Sequence, residues 1–255
     1  RYLYMAIRGT DGYVAKPAAA GTDAFNVALG AGNGVIPEFA ANFAVNMGIV
    51  RQYASTQSNF VASRLTGTNY TQTNDSAAES TAATFVFDSN AGWDESSNNT
   101  NISWMWKRGQ GFDVVFYDGD SSSTRDIPHS LNAVPEMFWI KRRTGGSGDN
   151  WAVNHSALGN TKYLRVNTTQ YAYTDAIWNN TTPTSTHFTL GNDGSVNHSS
   201  GTYIAMLFSS VTGVSKVGSY TGSSGVKSLD FGLISFPSSG HLTGHVQYIK
   251  FPEWK

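Results

Sequence analysis

An all-β fold of tandem antiparallel β-sandwich domains, jelly-roll or lectin-like in type, is predicted by three features of the sequence. Aromatic residues make up 13% of the chain and charged residues 14%, with Gly, Ser, Thr and Asn filling much of the rest. Such a mixture suits many short strands joined by polar turns and argues against long helices. Short apolar runs of strand type, bounded by Gly, Asn, Ser or Pro, are the second feature. The third is an internal repeat with a period of about a hundred residues.

The repeat shows first in YLYMAIRG at 2–9, ISWMWKRG at 102–109 and TYIAMLFS at 202–209, with Met5, Met105 and Met206 as register marks. Between these marks the neighbours keep step. Phe25 and Val27 match Phe112 and Val114, Ile36-Pro37 matches Ile127-Pro128, and Met47 matches Met137. Asn59-Phe60 matches Asn150-Trp151, Leu65 matches Leu158, Tyr70 matches Tyr163, and Phe85 matches Phe188. SKVGSYTG at 215–222 aligns with FDVVFYDG at 112–119 and opens a further copy. The expected organisation is the last strand of a preceding repeat at 1–8, β repeat domains at 9–108 and 109–213, and a partial third repeat or closing segment at 214–255. On this reading the chain is a piece of a longer array.

Within the second repeat, strands are predicted at Phe112 to Tyr117, Met137 to Arg142, Trp151 to Val153, Tyr163 to Val166, His187 to Leu190 and Tyr203 to Phe208. In YIAMLF, Tyr203, Ala205 and Leu207 face one way and Ile204, Met206 and Phe208 the other, so the strand is expected to be central and covered on both faces. Its counterpart places Trp104 and Trp106 on one face with Ile102, which reads as core packing. The single helix candidate is short, near Ala77 to Ala83.

The run FDVVFYDGDSSSTRDIPHSLNAVPEMFWIKRR, then NWAVNHSAL, then PTSTHFTLGNDGSVNHSSGTYIAMLFSSVTGVSKVGSYTG resembles a domain that recurs in large virion proteins of tailed bacteriophages, marine and cyanobacterial ones in particular. The resemblance covers residues 109–222 well and 2–108 more loosely. It implies a tail fibre or other structural component at the virion surface, acting in assembly or host contact. The implied partners are further copies of the chain or other virion proteins. The stretch GHVQYIKFPEWK near the C-terminus looks like the closing strand of a lectin-type sandwich.

Composition narrows the remaining classes. A formal net charge of −1 without a run of Lys or Arg argues against nucleic acid. No apolar stretch reaches the ~18 residues of a spanning helix, so membrane insertion is not expected. Zero cysteines remove disulfides and thiolate metal sites. Nine N-x-S/T sequons read as a product of the Asn, Ser and Thr content rather than as a glycosylated surface.

Catalysis would have to rest on the carboxylates and histidines. The five glutamates are Glu38, Glu79, Glu95, Glu136 and Glu253. Glu38 and Glu136 each follow a proline at nearly corresponding repeat positions and read as strand-entry or turn carboxylates on the surface. The adjacent Asp94 and Glu95 could flank a cleft, but in the polar loop WDESSNNTN they read as solvated acids. A glycosidase needs two carboxylates facing one sugar ring, and no such pair is evident. The DGDSSSTRD loop at 118–126 has calcium-type oxygens but lacks the EF-hand spacing. His129, following Pro128, reads as a turn histidine that caps a carbonyl or packs on a neighbour. His241 and His245 flank LTG and favour a turn and strand over a zinc-binding helix. There is no nucleophile elbow and no phosphate-cradling loop. No catalytic residue, metal or cofactor is therefore assigned.

For glycan or protein contact the candidates are Trp93, Trp151, Trp178 and Trp254, because sugars bind to aromatic faces beside planar polar groups. Trp93 in NAGWDES and Trp178 in DAIWNNTT lie in polar segments at similar places in their repeats. Either they are exposed, or each plugs the end of its own sandwich, which is the preferred reading. The resulting expectation is a non-catalytic virion structural protein, a tail fibre or decoration component. A host-glycan-binding lectin-like module is the alternative, and a polysaccharide depolymerase a more distant third.

Overall fold

The computed structural model describes residues 20–32, 34–53, 55–95, 100–146, 149–222, 224 and 228. The expected last strand of a preceding repeat at 1–8, the closing strand near the C-terminus, His241, His245 and Trp254 lie outside the described residues. Among the described residues antiparallel strands dominate, in two units of eight strands each.

The first unit contains β1 (Phe25–Leu29), β2 (Phe39–Ala40), β3 (Met47–Gln52), β4 (Phe60–Ser63), β5 (Asn69–Gln72), β6 (Ser80–Thr81), β7 (Gly92–Trp93) and β8 (Asn101–Trp106). The second contains β9 (Phe112–Asp118), β10 (Arg125–Pro128), β11 (Met137–Thr144), β12 (Ala152–His155), β13 (Lys162–Arg165), β14 (Tyr173–Thr174), β15 (His187–Leu190) and β16 (Thr202–Phe208). One sheet runs β1-β8-β3-β4-β5-β6 and the other β9-β16-β11-β12-β13-β14, so the two share one topology. Each unit adds a two-stranded ribbon, β2-β7 or β10-β15. The edge strands β6 and β14 are only two residues long, which limits the unpaired backbone they offer to other chains.

Apolar alternation decides where each sheet face goes. On β16, Tyr203, Ala205 and Leu207 enter the core closed by the β10-β15 ribbon, while Ile204, Met206 and Phe208 enter a second core. The strand lies between β11 and β9 and is covered on both faces, as its sequence predicts. In the first unit Val50, Ala62 and Met105 pack under Phe39, Phe85, Phe87 and Trp93.

The second core is shared between the units. Met47, Ile49 and Val61 of the first sheet, with Trp104 and Trp106 beside them, pack with Trp139, Trp151, Val153 and Met206 of the second. The units are thus two sheets joined face to face rather than separate beads. Area removed from water stabilises such a seam at roughly 25 cal/mol per Å².

Pairing registers correct parts of the sequence alignment. Met47 lies opposite Trp106, and Met137 opposite Phe208, so Trp106 and Phe208 are equivalent, as are Met105 and Leu207. Met105 and Met206 are therefore not counterparts. Met105 faces its own unit's core and Met206 the shared one, because a one-residue slip in a strand reverses the face. Likewise Val61 opposite Ile49 corresponds to Val153 opposite Trp139, which makes Phe60 the partner of Ala152 rather than of Trp151. The Phe39–Trp93 pair stands where Ile127–Phe188 stands, displacing the matches at Ile36-Pro37 and Phe85.

The residues Ala77 to Ala83 form no helix. They hold the short strand β6, whose Ser80 and Thr81 pair with Tyr70 and Asn69. An alanine-rich segment this short nucleates a helix poorly, and the open edge of β5 supplies its hydrogen bonds instead. Among the described residues the one α-helical turn is at Gly194–Asn197, started by the Asp193 side chain, which accepts from Ser195 N.

Candidate functional site

The described tryptophan candidates are interior. Trp93 and Trp151 are 0% exposed and Trp178 is 1% exposed, so none offers a ring face to a sugar. Trp93 stacks with Phe85 and with Phe87 and donates from Nε1 to Ser103 Oγ at 2.9 Å. Gly48 lies beneath its indole, at the place that Phe138 occupies in the second unit under Phe188. Trp178 sits in the turn before β15, edge-on to Phe138 at 4.8 Å, with Nε1 donating to Lys162 O. Trp93 and Trp178 thus plug their own units from different positions. Polar neighbours in sequence misled on exposure because the indole turns inward while the flanking Asn and Asp remain on the turn.

The most built polar arrangement lies at the seam. On β11, Met137, Trp139, Lys141 and Arg143 share a face that begins apolar and ends cationic. Lys141 is fully buried, and Nζ donates to Ser76 O of the first unit at 2.7 Å and to Asp149 O at 2.6 Å. Burial lowers its pKa from 10.5 to about 8, against the opposing pull of Asp149 and Asp75. Arg143 donates to both carboxylate oxygens of Glu79, at 2.8 and 3.1 Å, and its guanidinium lies 4.3 Å from the Phe116 ring centroid. Glu79 N donates back to Arg143 O. Trp151 Nε1 donates to Gln72 O at 2.7 Å. The β5–β6 segment of the first unit is therefore fastened along the second sheet by charge-assisted and backbone bonds. Sequence reasoning missed this, because the partners lie more than sixty positions apart and only the alternation of Lys141 and Arg143 with Arg142 hinted at it.

At the free end of the first unit a shallow cleft of about 120 Å³ is lined by Val50, Arg51, Gln52, Gln57, Phe60, Glu95 and Asn101. Asn101 Nδ2 donates to Glu95 Oε2 at 2.6 Å, Glu95 N donates to Glu38 Oε2, and Glu38 N donates to Asp94 Oδ1. Glu38 is 3% exposed, so it is no surface carboxylate: it is drawn inward to receive a backbone N–H. Nor does it correspond to Glu136. Glu136 accepts from Ser210 N as Asn46 accepts from Arg108 N, both positions directly preceding the central strands β3 and β11. Glu95 is the one carboxylate lining the cleft among the described residues, whereas glycoside hydrolysis requires two flanking the bond.

In the DGDSSSTRD loop the Asp120 carboxylate is already engaged by neighbouring backbone and side-chain groups. Asp120 Oδ1 accepts from Ser122 N, Ser122 Oγ and Asn197 Nδ2, and Arg125 lies 3.5 Å from Oδ2. The Ser122 hydrogen bonds lower the Asp120 pKa. His129 contacts Thr184 O through Nε2 at 3.2 Å and stacks toward Phe188, the turn role its sequence suggests.

These features define a class: an all-β protein of two topologically identical units joined through one buried seam. The chain belongs to the family of a domain of unknown function, DUF7483, whose match spans residues 20–231 and so takes in both units. Comparison with curated proteins and with solved structures finds no match.

Proposed function

We propose that this chain is a non-catalytic structural module of a virion, a tail fibre or decoration component that holds its surfaces apart and in fixed orientation. The observation that carries the reading is the seam: two units share a core, and the side chains best suited to ligand chemistry, Lys141, Arg143, Glu79 and Trp151, are all used to join them. A rigid pair of sheets suits load-bearing and docking. The virion setting rests on the resemblance of residues 109–222 to phage structural domains. Cryo-EM of particles, or labelling with a domain-specific antibody, tests it: density or label at a capsid or tail position is expected, and particles free of the chain refute the reading.

A second reading, glycan binding, draws on the cleft beside β3. Arg51, Gln52, Gln57, Glu95 and Asn101 supply the planar polar groups that sugar hydroxyls favour. A glycan array separates the two, since specific binding abolished by Gln52→Ala identifies a lectin and silence favours the scaffold.

A further inference from the structure

The equivalence of the units shows which part of the shared face is left open. In the second unit Lys141 and Arg143 are held by the 73–79 segment of the first unit, through Ser76 O and Glu79, with the Phe116 ring against the Arg143 guanidinium. Strand pairing assigns their counterparts. Phe25 and Phe112 lie opposite the equivalent Trp106 and Phe208, so Leu29 stands for Phe116. By the Met47–Met137 match Arg51 stands for Lys141, and Tyr53, whose N donates to Thr100 O, stands where the bulged pair Arg143-Thr144 lies beside Thr202. Nothing in the described chain covers this end: Leu29 is 59% exposed and Tyr53 56%, Arg51 is exposed, and Val35 and Ile36 on the following loop are exposed too.

The matching donor is equally open. Ser80 pairs with Tyr70 as Tyr173 pairs with Tyr163, so residues 166–172 of the second unit correspond to 73–79 of the first. Tyr171, at the position of Ala78, is 75% exposed. The chemistry changes in step on both sides. Where the receiving face offers Arg143, the loop offers Glu79; where the receiving face offers Tyr53, the loop offers Tyr171 and Ala172. Tyrosine pairs are effective anchors at protein contacts.

We infer that the Leu29–Arg51–Tyr53 end of the first unit receives the β13–β14 loop of a second copy of this chain. Donor and receiver are different surfaces, so the contact is head to tail and, repeated, joins copies in a ring or row. The Met47–Ile49–Val61 part of the face is already filled by the chain's own second unit, so only the loop contact is repeated. The inference extends the structural reading above, yet fails separately from it: self-association is measured on purified chain, and location on particles.

Sedimentation equilibrium to about 1 mM, a range that captures weak contacts, tests the inference with exposed-site variants that spare the core. Wild type is expected to gain mass with concentration, and Tyr53→Asp and Tyr171→Asp each to remain monomeric with unchanged melting curves. Mixing the two variants restores association and stops it at the dimer, because one supplies the intact loop and the other the intact receiving face. A monomeric wild type, an unaffected variant or a mixture that stays monomeric overturns the proposal.

Discussion

Replacing Trp151 by Phe tests whether the two units fold as one. Trp151 is fully buried in the shared core, and its Nε1 reaches Gln72 O of the other unit at 2.7 Å. Phenylalanine keeps most of the apolar contact but removes the donor. Loss of a partly buried hydrogen bond costs about 1–2 kcal/mol, and the volume left by the smaller ring about 1 kcal/mol more. Destabilisation of about 2–3 kcal/mol in a chain of this size lowers Tm by roughly 4–12 °C. Thermal unfolding followed by far-UV circular dichroism and by tryptophan fluorescence is the assay, and both signals are expected to move together in one transition. A biphasic melt in which only one component shifts, or a shift below about 2 °C, refutes the argument that the seam couples the units.

Glu79→Ala leaves the Arg143 guanidinium without its carboxylate in a site where the two side chains are 15% and 10% exposed. A loss of about 2–4 kcal/mol is expected in urea unfolding, with the slope unchanged. Gly48→Ala places a methyl 2.5 Å from the Trp93 ring carbons and should cost about 2–3 kcal/mol by the same measurement, whereas a change under about 0.5 kcal/mol shows that the indole can yield. Lys141 gives a pH dependence of definite sign. Its folded pKa of about 8 lies below the ordinary 10.5, so between these values the unfolded chain holds a proton that the folded chain has released, and stability rises with pH. The gain is on the order of 2 kcal/mol by pH 10, beyond which Tyr117, Tyr163 and Tyr203, whose pKa values burial raises, begin to oppose it. Lys141→Met should flatten the rise, and an unchanged slope would falsify the assignment to Lys141.

The strands of the second unit were legible because their side chains alternate and their ends carry turn residues. His187–Leu190 is observed with the limits its sequence indicates, and Phe112–Asp118 extends the predicted run by one residue. The first unit was harder to read. Its β2 and β7 are two residues long, too short for any period, and Phe85 took the place in the alignment that belongs to Trp93. The candidate tryptophans show a different limit: neighbouring polarity locates a turn, but the direction of one side chain from that turn depends on what lies beneath it. At Trp93 that is Gly48, forty-five positions away, whose missing side chain makes room for the indole.

The sequence by itself determined an antiparallel, all-β chain whose topology repeats, since alternation and turn chemistry act over a few residues. It also marked β16 as a strand buried on both sides, because both of its faces are apolar. Only the tertiary structure decided that equivalent faces of the two units meet, that Lys141 and Arg143 find partners in a loop of the other unit, and that none of the described residues covers the end carrying Leu29, Arg51 and Tyr53. Those outcomes depend on the offset between two sheets and on complementary volumes across a seam, such as Ile49 beside Trp104 in one sheet and Trp139 beside Met206 in the other. Packing between distant segments has no local period from which it could be read.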